Sequence, residues 1–424
     1  DATPFVNINK KVRYPTWNMS ALVGGVNTRV IENFSKEKCQ QQNFELYLCL
    51  LSRKGMWQGL CCYSEPLLLT TSAVTVKPSE SVTYSEVFRF VNFHYKTQWL
   101  FYLLFSIVYF DRKFPFLSFF SAFFTSKAAL NINLTEGIRV HSTKKLPKGK
   151  VDVLIPTIGR KKYLYDVLCD LKAQTCLPHS IIIVEQNPLP ESVSELDYLT
   201  KEEWPFEINH IFTHQAGACN ARNLALDKIT GDWVFFADDD IRIAPDFLEK
   251  ALQQLQQYGQ TATTLFCHRE NEKPNFDYPL QWGNFGSGCS IVVAEALKEL
   301  RFDMRYEFGF GEDGDFGVQL RNTGTDVFYF PKPDILHLKA PVGGFRTKPV
   351  LAWEKEALQP KPSPTVLLYQ LKNLTLEQQR SEKVKLFMNF YKHQPIKNPL
   401  RYLKVMNQQW EVSRKWALKL LQHD

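Results

Sequence analysis

No uninterrupted apolar run in this chain of 424 residues reaches the ~20 residues that a membrane-spanning helix needs. The most apolar stretch, 99–124, is broken by Asp111-Arg112-Lys113. A polytopic membrane protein is therefore not expected. The nine cysteines are odd in number, scattered and without a C-x-x-C pair. That argues against a disulfide framework or a zinc ribbon and fits a reduced compartment. No secretory signal pattern opens the sequence, so the expected location is cytoplasmic. A global excess of one charge is also missing. From Lys383 to the end, nine Lys/Arg face only Glu411 and Asp424, a surplus of seven that equals the net charge of the whole chain. Residues 1–382 are balanced, which is unlike a basic nucleic-acid binder.

Hydrophobic (44%) and charged (22%) residues stand near the averages for globular proteins, and the length suggests two to three domains at roughly 150 residues each. Residues 1–95 alternate β-branched and aromatic runs (Phe44–Leu51, Gly59–Tyr63, Leu67–Val76, Ser81–Phe93) with turn signals. They read as a small β-rich domain. Residues 96–150 hold an aromatic stretch followed by a polar, Lys-rich linker. From Val151 a β/α rhythm begins. Val151–Ile155, Ser180–Val184, Ile208–Phe212 and Asp232–Ala237 read as strands, with helices over Lys162–Gln174, Gly217–Lys228 and Pro245–Tyr258. This alternation predicts a mostly parallel sheet with helices on both faces. Ligands of such sheets bind at the carboxyl ends of the strands, where the strand order switches.

After the fourth of these strands stands Asp238-Asp239-Asp240. Three adjacent carboxylates repel one another, and a hard divalent cation resolves the conflict because oxygen ligands are what it prefers. The plain alternative is a solvated acidic turn, or a helix cap before Pro245. A phosphatase-type aspartate nucleophile lacks its Asp-x-Asp-x-Thr context here.

Five motifs in order carry a resemblance: Val153-Leu-Ile-Pro-Thr-Ile-Gly-Arg160, Ile181-Ile-Ile-Val-Glu185, Gly217-Ala-Cys-Asn-Ala-Arg-Asn223, Phe235-Phe-Ala-Asp-Asp-Asp240 and Phe308-Gly-Phe-Gly-Glu-Asp-Gly-Asp315. Over roughly residues 150–346 the chain resembles the family-2 glycosyltransferases of the GT-A fold, inverting enzymes with a Rossmann-like, nucleotide-sugar-binding, mostly parallel sheet. The implied organisation is a β-rich domain at 1–95, the aromatic stretch and linker at 96–150, a GT-A domain at 151–346 and a basic helical region at 347–424.

The resemblance implies roles. Thr157, Arg160 and Glu185 would line the nucleotide pocket, Glu185 standing where the family usually has Asp. Arg222 and Asn223 would face the nucleotide or its phosphates. Asp238 would touch the ribose or a metal, and Asp240 would coordinate a divalent metal, Mn²⁺ or Mg²⁺. Asp313 of the Glu312-Asp313 pair would be the general base, a role a sugar hydroxyl requires at neutral pH, with Glu312 holding the acceptor. Asp315 competes for that role, or else serves a helix N-terminus. His337 either completes the metal site or is structural. Trp282 either stacks on a sugar or packs in the core. The loop Gly343-Gly-Phe-Arg346 would close over substrate, with Arg346 reaching the diphosphate.

The expected function is metal-dependent inverting transfer from a nucleoside-diphosphate sugar, a UDP-sugar by preference, to a glycan or lipid-linked glycan in surface polysaccharide synthesis. The alternatives are a catalytically silent glycan-binding protein on the same fold, or a metal-dependent phosphohydrolase or nucleotidyltransferase. In the tail, Asn398–Gln422 places Leu and Trp among Lys and Arg. It is either a peripheral membrane helix or a helix packed on the catalytic domain.

Overall fold

A computed structural model describes residues 7, 9–35, 43–68, 82–124, 133–341 and 349–422. The chain forms two compact units: Asp1–Phe5 with Lys10–Arg139, and Val6–Asn9 with Val140–Asp424. Among the described residues no helix is long and apolar enough to cross a membrane.

The first unit is helical, which corrects the expected β-rich domain. Its described strands are two-residue segments, β1 (Tyr14–Pro15) and β2 (Tyr63–Ser64), paired antiparallel. Two of the runs read as strands, Phe44–Leu51 and Ser81–Phe93, fall largely in helices, while Gly59–Tyr63 is a turn that leads into β2. After α1 (Thr28–Ser35) come α2 (Phe44–Met56), α3 (Tyr84–His94), α4 (Gln98–Ser106) and α5 (Phe116–Phe123). Of the run at Leu67–Val76, residues 69–76 lie outside the described residues. The reason is capping and spacing. Asn43 accepts a bond from the Leu46 N–H, and Thr83 with Glu86 closes a reciprocal capping box. Leu46 with Leu50, and Phe88 with Asn92, then bury one helical face at a spacing of four. Aromatic β-propensity is overridden, because such propensity mostly measures fit to a half-buried pleated surface.

The second unit carries the sheet. Its strands and helices follow as β3 (Val151–Thr157), α6 (Lys161–Lys172), β4 (Ser180–Gln186), α7 (Tyr198–Lys201), β5 (Glu207–Thr213), α8 (Ala218–Leu226), β6 (Trp233–Ala237), β7 (Ile241–Arg242), α9 (Phe247–Tyr258), β8 (Ala262–His268), β9 (Leu280–Gln281), β10 (Cys289–Val293), α10 (Glu312–Asn322) and β11 (Phe328–His337). Three helices close the chain: α11 (Pro364–Asn373), α12 (Leu376–Lys392) and α13 (Pro399–Gln422). The strand order is β5-β4-β3-β6-β10-β8-β11-β7, with β9 on β11. β5, β4, β3 and β6 run parallel, while β10 lies antiparallel between β6 and β8. The central strands are apolar on both faces, as sheets covered on both sides require.

Alternation along these strands divides the interior. Val153, Ile155, Ile181, Ile183 and Phe235 face α6 and α9, whereas Leu154, Ile182, Val184, Val234 and Phe236 face α8, α10 and the C-terminal helices. The chain moves outward from β3 to β5, then returns to place β6 on the other side of β3. The switch therefore lies between the ends of β3 and β6, which carry Thr157 and the acidic triplet.

The basic tail is part of this core. α13 buries Tyr402, Met406, Trp410 and Ala417 in the second cluster, and the Trp410 ring meets Phe387 at 5.6 Å. Trp416 is held too, donating from Nε1 to Glu356 at 2.8 Å. Most of the apolar face of the helix is spent on packing, with Leu400, Leu403 and Leu418 left exposed, and its Lys and Arg form the solvated side of a docked helix. Trp410→Ala is expected to cost about 3–5 kcal/mol of unfolding free energy. Urea denaturation measures this, and an unchanged midpoint would contradict the docking.

Candidate active site

The turn after β6 concentrates charge in a small volume. Asp239 and Asp240 are almost fully buried, while Asp238 remains a third exposed. Thr157 donates from Oγ1 to Asp239 at 2.6 Å, and Arg160, at the start of α6, reaches the other Asp239 oxygen at 2.7 Å and Asp240 at 3.3 Å. Burial dominates at Asp239 and pushes its carboxyl up to about 6 despite Arg160. For Asp240, burial acts in the same direction. His337, the Ala340 N–H (2.7 Å) and Arg160 outweigh it and hold this carboxyl below its ordinary range.

His337 arrives by strand pairing. β11 runs antiparallel to β7 with His337 opposite Ile241, so the imidazole lands next to Asp240. Its Nε2 stands 3.2 Å from Asp240 Oδ1, and this contact raises the imidazole's proton affinity. That buried Oδ1 has no well-formed hydrogen bond. One ligand atom each from Asp238, Asp240 and His337 lies within 4.8 Å of the others. Two carboxylate oxygens and an imidazole nitrogen make a donor set suited to Mn²⁺ or Mg²⁺. The orphaned oxygen fits a cation that takes up its lone pairs.

α10 supplies the opposite wall. Gly311 precedes it with φ +115°, a conformation that side chains resist, and places Glu312 and Asp313 in the first turn. The helix dipole favours carboxylates there. Burial nevertheless raises both groups, with Asp313 adding to the effect on Glu312. Ser287 bonds Asp313 through its hydroxyl and backbone N–H, while Asp313 Oδ1 is buried without a hydrogen-bond partner. Arg222 on α8 is buried near Glu312 and Asp313, with Nη2 3.4 Å from Asp238. Its charge partly balances these carboxylates.

Together these groups line a cavity of about 490 Å³ that holds Thr157, Arg160, Arg222, Asp238, Asp240, Glu312, Asp313 and His337. Three expected residues lie off its lining. The Asn223 amide bridges the backbone N–H and C=O of Phe302 at 2.8 Å each, so it fixes α8 to the segment before α10 instead of facing a nucleotide. Trp282 packs on Tyr329 and Phe276, its core alternative. Glu185 pairs with His210 on β5 at 2.9 Å and accepts the Glu195 N–H. Arg346 and the Gly343 loop lie outside the described residues.

Sequence reasoning missed Ser287, Glu307 and Lys339, which also line the cavity. Glu307 accepts the Cys219 and Asn220 N–H groups and so caps α8. Gly217 (φ +151°) is needed because a Cβ there would sit 2.3 Å from that carboxylate. The Gly-Ser-Gly at 286–288 and a Lys two residues after His337 were the available signals.

Asp315 turns out to be structural. It accepts bonds from Lys372 and Gln319 at 2.9 Å and Asn373 at 2.8 Å, tying α10 to α11. Asp315→Ala should cost on the order of 3 kcal/mol, because buried charge-assisted bonds are lost. Asp313→Asn should leave the urea midpoint unchanged or raise it, since burial already disfavours that charge. Equal losses in both variants would contradict this division.

Residues 152–314 match the profile described as "Glycosyl transferase family 2". The succinoglycan biosynthesis protein ExoM of Rhizobium meliloti (strain 1021) is 26% identical over 168 residues, covering 36% of this chain and 54% of that protein. The uncharacterized glycosyltransferase YwdF of Bacillus subtilis (strain 168) is 29% identical over 128 residues, covering 30% and 44%. The chain thus spans about half the length of these relatives. Among solved structures, S. aureus TarS 1-349 in complex with UDP-GlcNAc has a TM-score of 0.42 at 15% identity, covering 64% of this chain and 83% of that one. The ordered motifs and the profile meet on one segment, and residues 152–314 are a glycosyl transferase family 2 domain.

Proposed function

We propose that the chain transfers a sugar from a nucleoside-diphosphate sugar, with UDP as the nucleotide to expect, to a hydroxyl of a glycan or lipid-linked glycan, inverting the anomeric centre. The observation that carries this reading is the meeting of Asp238, Asp240 and His337 with Asp313 in one cavity at the topological switch. Asp313, on the cavity wall, takes the proton from the acceptor hydroxyl. The acceptor oxygen then forms the new glycosidic bond as the bond to the diphosphate breaks, in one displacement. Glu312 stands beside the base and holds the acceptor. Arg160 and Arg222 offset part of the cost of burying the neighbouring carboxylates. A divalent cation held by Asp238, Asp240 and His337 would supply positive charge for the departing diphosphate. The name of the ExoM relative favours a polysaccharide product, and the cysteines among the described residues, all unbridged, suit a cytoplasmic location.

Asp313→Asn should lower kcat by about 10²–10⁴-fold while nucleotide affinity holds. Retention of anomeric configuration in the product would overturn the single displacement. Because burial raises the Asp313 carboxyl, its base form is lost early on acidification. The acid limb of kcat/KM should therefore lie above the pH at which an exposed Asp titrates, and a limb in the ordinary Asp range would assign the base elsewhere.

Calorimetry with UDP, GDP, CDP and dTDP, with and without Mn²⁺, tests the donor site. Mn²⁺-dependent binding of UDP, abolished in Asp240→Ala, is expected. Metal-independent binding, or preference for another nucleotide, would refute the corresponding part.

A further inference from the structure

The α4–α5 hairpin is apolar on the side that faces away from its own core. Inward, α4 and the turn after it bury Leu100 and Ile107, and α5 buries Phe119 and Ala122. Outward, Phe101, Phe105 and Tyr109 recur every four residues, and Phe116, Phe120 and Phe124 do the same along α5. Nine large apolar side chains between Phe101 and Phe124 are exposed, Leu117 by 89% and Phe124 by 91%. The Phe101 ring meets Phe119 at 5.2 Å and Phe123 at 6.0 Å, so both helices contribute to one surface. Gln98–Phe110 and Phe114–Phe124 contain no charged residue.

A helix that is apolar all round belongs in a protein core or in lipid, and soluble monomers rarely leave so large an apolar patch open. Three observations favour lipid over a protein partner. Tyr109 contributes the single polar group among the nine exposed side chains, whereas protein interfaces carry about one hydrogen bond per 100–200 Å². Seven of the nine are Phe and one is Leu, the residue types that interfacial helices bury at the acyl boundary. The charges are confined to the turn, where exposed Arg112 and Lys113 outnumber Asp111 and the Arg112 guanidinium lies 5.6 Å from the Tyr109 ring centre. Cations placed there match anionic headgroups. Length excludes a span. Gln98–Asp111 reaches about 21 Å and α5 about 12 Å, against ~30 Å of hydrocarbon.

We propose that the α4–α5 hairpin docks this protein on an anionic bilayer by inserting its aromatic face into one leaflet. The surface is independent of the catalytic reading, and it moves the membrane contact from the basic tail, whose apolar side is mostly buried, to the first unit.

The test is flotation of the full chain with phosphatidylcholine vesicles, with and without phosphatidylglycerol. The wild type should float, more strongly with the anionic lipid. Leu117→Ser/Phe120→Ser/Phe124→Ser should lower partitioning on the order of 100-fold, and Leu117→Ser alone should lower it measurably without touching the core. Arg112→Glu/Lys113→Glu should abolish the preference for anionic vesicles. Leu189→Ser/Val193→Ser, at exposed apolar positions of the second unit, should change nothing. A wild type that stays with the protein fraction would overturn the proposal. So would serine variants that float like the wild type, or that only dissolve a dimer in sedimentation, which would assign the face to a second copy of the chain.

Discussion

Everything in the second unit is arranged around carboxylates held at the end of a buried strand. Asp238, Asp239, Asp240, Glu307, Glu312 and Asp313 share one cavity with Arg160, Arg222, Lys339 and His337. Burial makes each negative charge costly, and the site answers in two ways. Some groups are fully paired, as Asp239 is with Thr157 and Arg160. Others are incompletely met: Asp313 keeps an oxygen without a hydrogen-bond partner, and Asp240 Oδ1 has only the 3.2 Å contact with His337. Native structures rarely leave buried acceptors unmet without a reason. Here both residues line the same cavity.

The packing explains why these groups do not escape into solvent. The triplet is delivered by β6, which is flanked by β3 and β10 and buried on both faces. Phe236 contacts Phe285, Phe302 and Phe316, so one aromatic cluster joins β6, the segment before β10, the segment before α10 and α10 itself. The two walls of the cavity are thereby fixed to each other through close-packed rings, and interiors packed to crystal-like density transmit small displacements. A catalytic geometry split between a strand end and a helix start depends on that rigidity.

Much of this was readable beforehand, because covered parallel strands announce themselves as short apolar runs between helical repeats. The acidic turn was equally plain, since three adjacent carboxylates after a buried strand have few purely structural uses. The first unit was misread for a physical reason. Phe44–Leu51 and Ser81–Phe93 are rich in residues that suit strands, and short apolar runs do not distinguish a strand from a helix. The Thr83-x-x-Glu86 box was the decisive local sign. Asn223 and Trp282 could not be settled from sequence, because an amide or an indole next to a motif serves backbone or ligand equally well. The tail posed the same ambiguity: amphipathic periodicity states that one face will be covered and says nothing of what covers it.

Asp313 and Asp315 show how finely position decides role. Two residues along a helix turn the side chain by about 200°, so neighbouring carboxylates on one motif look in opposite directions. Asp313 lines the cavity and keeps one buried oxygen without a hydrogen-bond partner, while Asp315 is saturated by Lys372 and Asn373 of α11 and by Gln319 of its own helix. The saturated one anchors the helix that presents the other. Lys372 also binds Asp303, itself chelated by Arg305, which ties the loop before α10 into the same anchor. A single acidic first turn thus contains both the group proposed as base and the group that moors its helix to α11.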